Sequence, residues 1–236
     1  EIPGGDGDLP LALQRRSGAK SEEIAERWLS GLGTTRLFLF LHLDEPRAPR
    51  AASYDEAIAA ADATVGRFVR YLKAHQLYDQ STILLLSDHG EGLGDHGEQE
   101  HGLLIDTEAI HVPLIVKPAA GIGAGRRIAD VVQLADVVPT VLDLVKAPGP
   151  GNHRGRSLKA LTEGTATLAP VTVYSEAVWG YNRFGWSVLV SETDAARQRI
   201  RVTSDTAVDP RQKAAIAEEY RTAGRLIADR KWSEAI

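Results

Sequence analysis

Between Ser87 and Gly102 the chain reads Ser-Asp-His-Gly-Glu-Gly-Leu-Gly-Asp-His-Gly-Glu-Gln-Glu-His-Gly, so three histidines and five carboxylates share sixteen residues. Carboxylate oxygen and imidazole nitrogen are ligands that a divalent cation accepts together. Gly90, Gly92, Gly94 and Gly97 let the backbone turn sharply and approach a ligand closely. These types point to a metal and anion site, with Asp88 and His89 as adjacent cation ligands. A solvated acidic loop with scattered histidines is the reading that an isolated Asp-His pair would leave open.

The elements around this loop must position it. Thr82 to Leu86 is a short apolar run closed by a polar residue, and we expect a strand buried on both faces of a parallel sheet. Asp88 and His89 then fall just past its carboxyl end, where open α/β sheets bind ligands. Upstream, Ser17 to Ser30 has Ile24, Trp28 and Leu29 at helical spacing and Gly31 as a stop. A strand is expected over Leu37 to Leu43. Ser53-Tyr54-Asp55-Glu56 has the form of a capping box, and Ile58, Ala61, Val65, Phe68, Val69 and Leu72 follow at intervals of a long amphipathic helix. Strand, helix and strand make a right-handed crossover. His42 is read as a core histidine near a strand end, with orientation of the site as the alternative.

Downstream, Val112 to Lys117 reads as a strand, Gly121 to Gly125 as a turn and Ile128 to Leu134 as extended. Asp136 is expected to N-cap a helix through Leu144 that Pro148-Gly149-Pro150-Gly151 stops. His111, ahead of a strand, is read as structural. The basic loop with Asn152, His153, Arg154 and Arg156 is read as a solvated turn, with contact to an anionic substrate as the alternative. Val171 to Trp186 carries Tyr174, Trp179, Tyr181, Phe184 and Trp186 and fits a small antiparallel sheet.

The string Ser-Asp-His-Gly-Glu-x-Leu-Gly-Asp-His-Gly, followed by His-Gly and by Ile110-His111-Val112-Pro113-Leu114-Ile115-Val116, resembles the second half of sulfatases in the alkaline phosphatase-like superfamily. The resemblance extends to Leu37-Phe38-Leu39-Phe40-Leu41-His42-Leu43, to Tyr54-Asp55-Glu56-Ala57-Ile58 with Asp62 and Val65-Gly66, and to Asp136-Val137-Val138-Pro139-Thr140-Val141-Leu142 with Gly155-Arg156-Ser157-Leu158. It implies an α/β fold: the C-terminal half of an alkaline phosphatase-like sandwich, a largely parallel sheet flanked by helices, with a small antiparallel C-terminal subdomain. The expected divisions are residues 1–165 for the catalytic half, 166–210 for the small subdomain and 211–236 for a helical tail.

The resemblance also implies roles. Asp88 and His89 become ligands completing a metal site begun by an Asp-Asp pair in the N-terminal half, and His101 becomes the catalytic residue that contacts the sulfate or phosphate group or protonates the leaving oxygen. Calcium is the metal the resemblance implies, while an imidazole ligand is equally compatible with zinc or manganese. Sulfate or phosphate esters would be the substrates, on the periplasmic or extracellular side.

Two departures stand out. Sulfatases carry Cys or Ser in a Cys/Ser-x-Pro-x-Arg motif, matured to formylglycine, and this chain spells no such motif and has no Cys. Its opening, Glu1-Ile2-Pro3-Gly4-Gly5, is linker-like, and we expect a C-terminal fragment whose nucleophile lies upstream. Where the family places Pro-His-x-Pro, this chain reads Pro46-Arg47-Ala48-Pro49, and Arg47 can bind an anion but cannot exchange a proton at neutral pH.

Composition bounds the rest. A net charge of -5 without a basic stripe argues against nucleic acid, and no apolar run reaches the roughly 18 to 20 residues that span a bilayer. From Arg211 onward the sequence is helix-forming, and Gly224-Arg225-Leu226-Ile227 with Trp232-Ser233-Glu234-Ala235-Ile236 resembles the start of a tetratricopeptide repeat, which implies a protein partner; a plain amphipathic helix is the alternative. Two other functions compete with hydrolysis: a phosphoethanolamine transferase, which shares Asp-His-Gly-Glu-x-Leu-Gly, and a non-catalytic scaffold in which Arg47 marks loss of activity.

Overall fold

The computed structural model describes residues 16–33, 35–46, 53–149 and 151–203. Arg47 and the helix-forming stretch from Arg211 lie outside these. The chain divides into two compact units, Glu1–Ser81 and Thr82–Ile236.

The first unit is built on two helices with serine caps. Ser17 Oγ accepts from Lys20 N at 3.3 Å to open α1 (Gly18–Ser30), and Ser53 Oγ accepts from Glu56 N at 3.2 Å to open α2 (Tyr54–Ala74). Gly18, Glu22, Ala25 and Leu29 form the buried stripe of α1. The buried Glu22 carboxylate is compensated by Arg67 of α2, whose Nε donates to Oε2 at 2.9 Å. Tyr71 of α2 donates its hydroxyl to Glu26 O at 2.9 Å. Of the expected apolar face of α2, Leu72 is buried and Ala61, Val65, Phe68 and Val69 are half-buried, with Ala57 and Thr64 buried beside them, whereas Ile58 is 43% exposed.

Leu37 to Leu43 forms no helix, strand or turn and joins no ladder among the described residues, so the expected strand does not form there. Phe38 and Phe40 are 75% and 78% exposed. His42 is exposed as well, with its ring 6.4 Å from that of Phe40, and is not the core histidine expected.

In the second unit, β1 (Ile83–Leu86) pairs antiparallel with β2 (Leu114–Lys117), Ile83 facing Lys117 and Leu86 facing Leu114. This corrects the reading of Thr82 to Leu86 as a strand buried in a parallel ladder. Apolarity forecasts burial but not the direction of the neighbour, and here the run is only half-buried, with Leu86 exposed. The loop after β1 leads into α3 (Thr107–Ile110) and β2. Beyond a 3-10 turn, α4 (Val137–Leu144) and α5 (Lys159–Glu163) precede a three-stranded antiparallel sheet of β3 (Val173–Ala177), β4 (Val188–Thr193) and β5 (Gln198–Thr203), with α6 (Trp179–Phe184) between β3 and β4. The aromatic segment therefore yields the expected antiparallel sheet, although part of it forms α6.

That sheet backs the signature loop. Leu103, Leu104 and Ile105 pack in one buried cluster with Ala177 of β3 and Leu189 of β4, flanked by Ile110 and Trp186. Burial of such a cluster contributes on the order of 1.5–3 kcal/mol per large side chain. Gln198 of β5 adds two hydrogen bonds, donating to Ile105 O at 2.6 Å and accepting from Thr107 Oγ1 at 3.0 Å.

Asp136 precedes α4 as expected but does not cap it. Its Oδ2 accepts from Gln133 N at 3.1 Å and its Oδ1 from Arg156 N at 2.8 Å, tying the 3-10 turn and the basic loop together. Arg156 turns its side chain to the carbonyls of Ala169 and Val131, so that residue of the basic loop is structural.

Candidate active site

The loop from Gly90 to Glu100 is a narrow hairpin without regular strands. Gly92 N donates to Glu100 O at 2.7 Å, Leu93 N to Gln99 O at 3.2 Å and Gly94 N to Glu98 O at 2.8 Å, while Gly90 N donates to Ala109 O at 2.8 Å. Two glycines are there because the facing backbone leaves no room: a Cβ on Gly90 would lie 1.9 Å from Glu108 O, and one on Gly92 2.3 Å from Glu98 O. The tip turns through Gly94 (φ 95°) and His96 (φ 51°), left-handed conformations that cost a non-glycine residue strain.

Glu98 closes the hairpin from below. Its buried carboxylate accepts from Leu103 N at 2.7 Å and Leu104 N at 2.8 Å, one oxygen to each amide. Burial pushes the Glu98 carboxyl above its ordinary range, against the lowering by the two amides. The clamp fixes the chain on both sides of His101.

Asp88 is an open carboxylate, its side chain 80% exposed. His89 Nε2 lies 3.7 Å from Asp88 Oδ1, and His89 Nδ1 lies 2.8 Å from Gly90 O. A carbonyl oxygen only accepts, so Nδ1 carries a proton, and Nε2 is the nitrogen that faces Asp88. The His101 ring stacks on that of His89 with centroids 3.7 Å apart, and His101 Nδ1 lies 3.1 Å from Glu91 Oε1. Asp88, His89 and His101 are thus together on one side of the loop.

A further trio, not singled out by sequence, lies across the hairpin. His96, Asp106 and Glu108 each bring one ligand atom to within 4.8 Å of the others. His96 Nδ1 is 2.6 Å from Glu108 Oε1. Burial raises Glu108, but the hydrogen bond and charge of His96 outweigh it and hold the carboxyl below its usual range. No spacing rule links residues twelve apart in an irregular loop, so this contact had no sequence signal.

The Sulfatase family model matches residues 14–147 of the chain. The chain belongs to the sulfatase family. Among relatives of this sulfatase-family chain, arylsulfatase K of Homo sapiens is 34% identical over 114 residues, covering 48% of the chain and 21% of that protein. The N-acetylglucosamine-6-O-sulfatase of Bacteroides thetaiotaomicron is 31% identical over 110 residues, covering 47% and 20%. The matched region spans about a fifth of the length of these relatives. Among solved structures, the phosphonate monoester hydrolase of Agrobacterium radiobacter superposes with a TM-score of 0.56 at 20% identity, covering 95% of this chain and 51% of that one. BT1596, a 2-O GAG sulfatase, gives 0.54 at 18%, covering 78% and 39%. The fold is therefore the alkaline phosphatase-like α/β fold of sulfatases, present in part. The match starts before α1 and ends after α4, so it includes the whole signature loop.

Proposed function

We propose that this chain supplies one half of the site of a metal-dependent hydrolase of sulfate esters, with Asp88 and His89 as cation ligands and His101 as the group that meets the ester. The observation that carries the reading is the convergence of an exposed carboxylate, an imidazole whose Nδ1 is bonded to a carbonyl so that Nε2 faces the carboxylate, and a second imidazole stacked on the first. A separation of 3.7 Å suits two ligands of one cation at bond lengths of roughly 2.0–2.5 Å. A bound divalent cation would offset the negative charge on the ester oxygens.

Hydrolysis of such an ester breaks the bond between sulfur and the leaving oxygen, which departs as an alkoxide. In its cationic form, with Nδ1 keeping its own proton against Glu91, His101 gives that oxygen a proton or a hydrogen bond from Nε2 as charge develops on it. The nucleophile is not among these residues, and family resemblance points to a Cys or Ser outside them. Sulfate is favoured over phosphate or phosphonate by the names of the relatives above, and the structural likeness to a phosphonate monoester hydrolase keeps phosphonate esters as the second substrate class. Calcium is the metal favoured by the resemblance, with zinc and manganese compatible by ligand type.

The test is turnover of aryl sulfate, phosphate and phosphonate monoesters by the full-length protein. Asp88→Ala, His89→Ala and His101→Ala are each expected to lower sulfate-ester kcat/KM by about a hundredfold or more, and chelation to abolish it in the parent. Unchanged turnover in Asp88→Ala and His101→Ala would sink the proposal. Calorimetric titration of the present chain with calcium, zinc and manganese checks the ligand assignment separately.

A further inference from the structure

We infer that Glu91 is a positioning residue for His101, holding Nδ1 as the protonated nitrogen so that Nε2 is the one presented to the ester. This rests on the reading of His101 as the group that meets the substrate. Glu91 Oε1 lies 3.1 Å from His101 Nδ1, and the two side chains are only 11% and 23% exposed, so water competes poorly for the contact. An ionised carboxylate only accepts, and Nδ1 must donate.

Neither partner is free to drift. Glu91 lies between Gly90, whose amide is bonded to Ala109 O, and Gly92, whose amide is bonded to Glu100 O. His101 follows Glu100 in that same pair and precedes the Leu103 and Leu104 amides clamped by Glu98. The two glycines cannot be side-chain bearing, and this is what lets the hairpin close until Glu91 reaches the imidazole ten residues later. The stacked His89 ring restricts rotation from the other side. Each imidazole therefore has its Nδ1 engaged by an oxygen of the residue pair Gly90-Glu91, and each turns Nε2 to chemistry: His89 toward Asp88, His101 toward the ester. A carboxylate behind an imidazole orients the ring and stabilises the cationic form it passes through when the proton moves.

Imidazole nitrogen-15 shifts in the present chain read the tautomer directly. In the parent, His101 is expected as the Nδ1–H form, and in Glu91→Ala as mainly the Nε2–H form, with Glu91→Gln close to the parent because its amide oxygen still accepts. In the full-length enzyme, Glu91→Ala should lower kcat by about 10- to 100-fold with KM nearly unchanged, and Glu91→Gln should recover most of the loss. An Nε2–H tautomer in the parent would overturn the inference without any variant, as would identical shifts in parent and Glu91→Ala. A His101→Ala enzyme with undiminished turnover would overturn the reading of His101 itself, an outcome the nitrogen shifts keep apart from failure of the Glu91 contact.

Discussion

Asp88 and Asp136 are the same residue type, each in a loop beside an apolar element of the same unit, and the molecule uses them in opposite ways. Asp136 is 0% exposed and spends both oxygens on backbone amides from two segments. Asp88 is 80% exposed at the side chain and, among the described residues, accepts a hydrogen bond only from the adjacent His89 amide, at 3.1 Å. A carboxylate whose hydrogen bonds are filled by the fold is a structural part, and one left open with an imidazole nitrogen facing it is available to a ligand. Glycines serve both regions alike: a Cβ at Gly155 would lie 1.9 Å from Ala135 O, the same clearance that Gly90 has from Glu108 O.

The largest effect separates the two aspartates by stability. Asp136→Ala leaves the half-buried Gln133 and Arg156 amides without their acceptor, and since a fully buried unsatisfied donor costs about 1–3 kcal/mol the loss should reach at most about 6 kcal/mol. Urea unfolding of the present chain would read this as a lower midpoint at unchanged slope. Asp88→Ala should leave the midpoint where it was. A destabilised Asp88→Ala, or an unaffected Asp136→Ala, would break the contrast.

A smaller effect tests whether the two close approaches are equivalent. Gly90→Ala and Gly155→Ala each force a methyl against a backbone carbonyl, where no rotamer relieves the clash, and overpacking of this kind costs about 1–3 kcal/mol. The midpoints should fall together. Function should not follow stability: Gly90→Ala pushes the backbone next to Glu91 away from Glu108, so it should disturb the Glu91 contact and the His101 nitrogen shifts, and Gly155→Ala should not.

What could be read without coordinates follows from the range of the interactions. Ser17 and Ser53 are caps because a hydroxyl reaches an amide three residues on, and both helices start where their serines say. Asp88, His89 and His101 draw attention by type, since they share one short string. The Glu91 contact lies ten residues from its partner, the His96 to Glu108 contact twelve, and the Arg156 to Asp136 contact twenty, and only the folded chain brings these together. Leu37 to Leu43 shows the opposite limit: its apolar run is plain, yet no strand partner for it exists among the described residues, and Phe38 and Phe40 stay exposed. Hydrophobicity states what a segment would bury, not whether or in which direction a neighbour meets it.

Glu98 stands between the two aspartates and gives the smallest effect. Like Asp136 it is buried and bonded to two amides, but burial prevails over those bonds and holds its folded carboxyl above the ordinary value of 4.5. A raised folded value means that the native state binds more protons than the unfolded chain between pH 4.5 and that value, so this group makes stability fall as pH rises through the window and contributes no slope above it. Glu98→Gln removes the titration while keeping one acceptor oxygen. The parent should therefore lose stability relative to Glu98→Gln as pH increases from about 4.5, a shallow decline read from urea midpoints at several pH values. A difference that grows in favour of the parent over the same range would show the two amide bonds outweighing burial at Glu98.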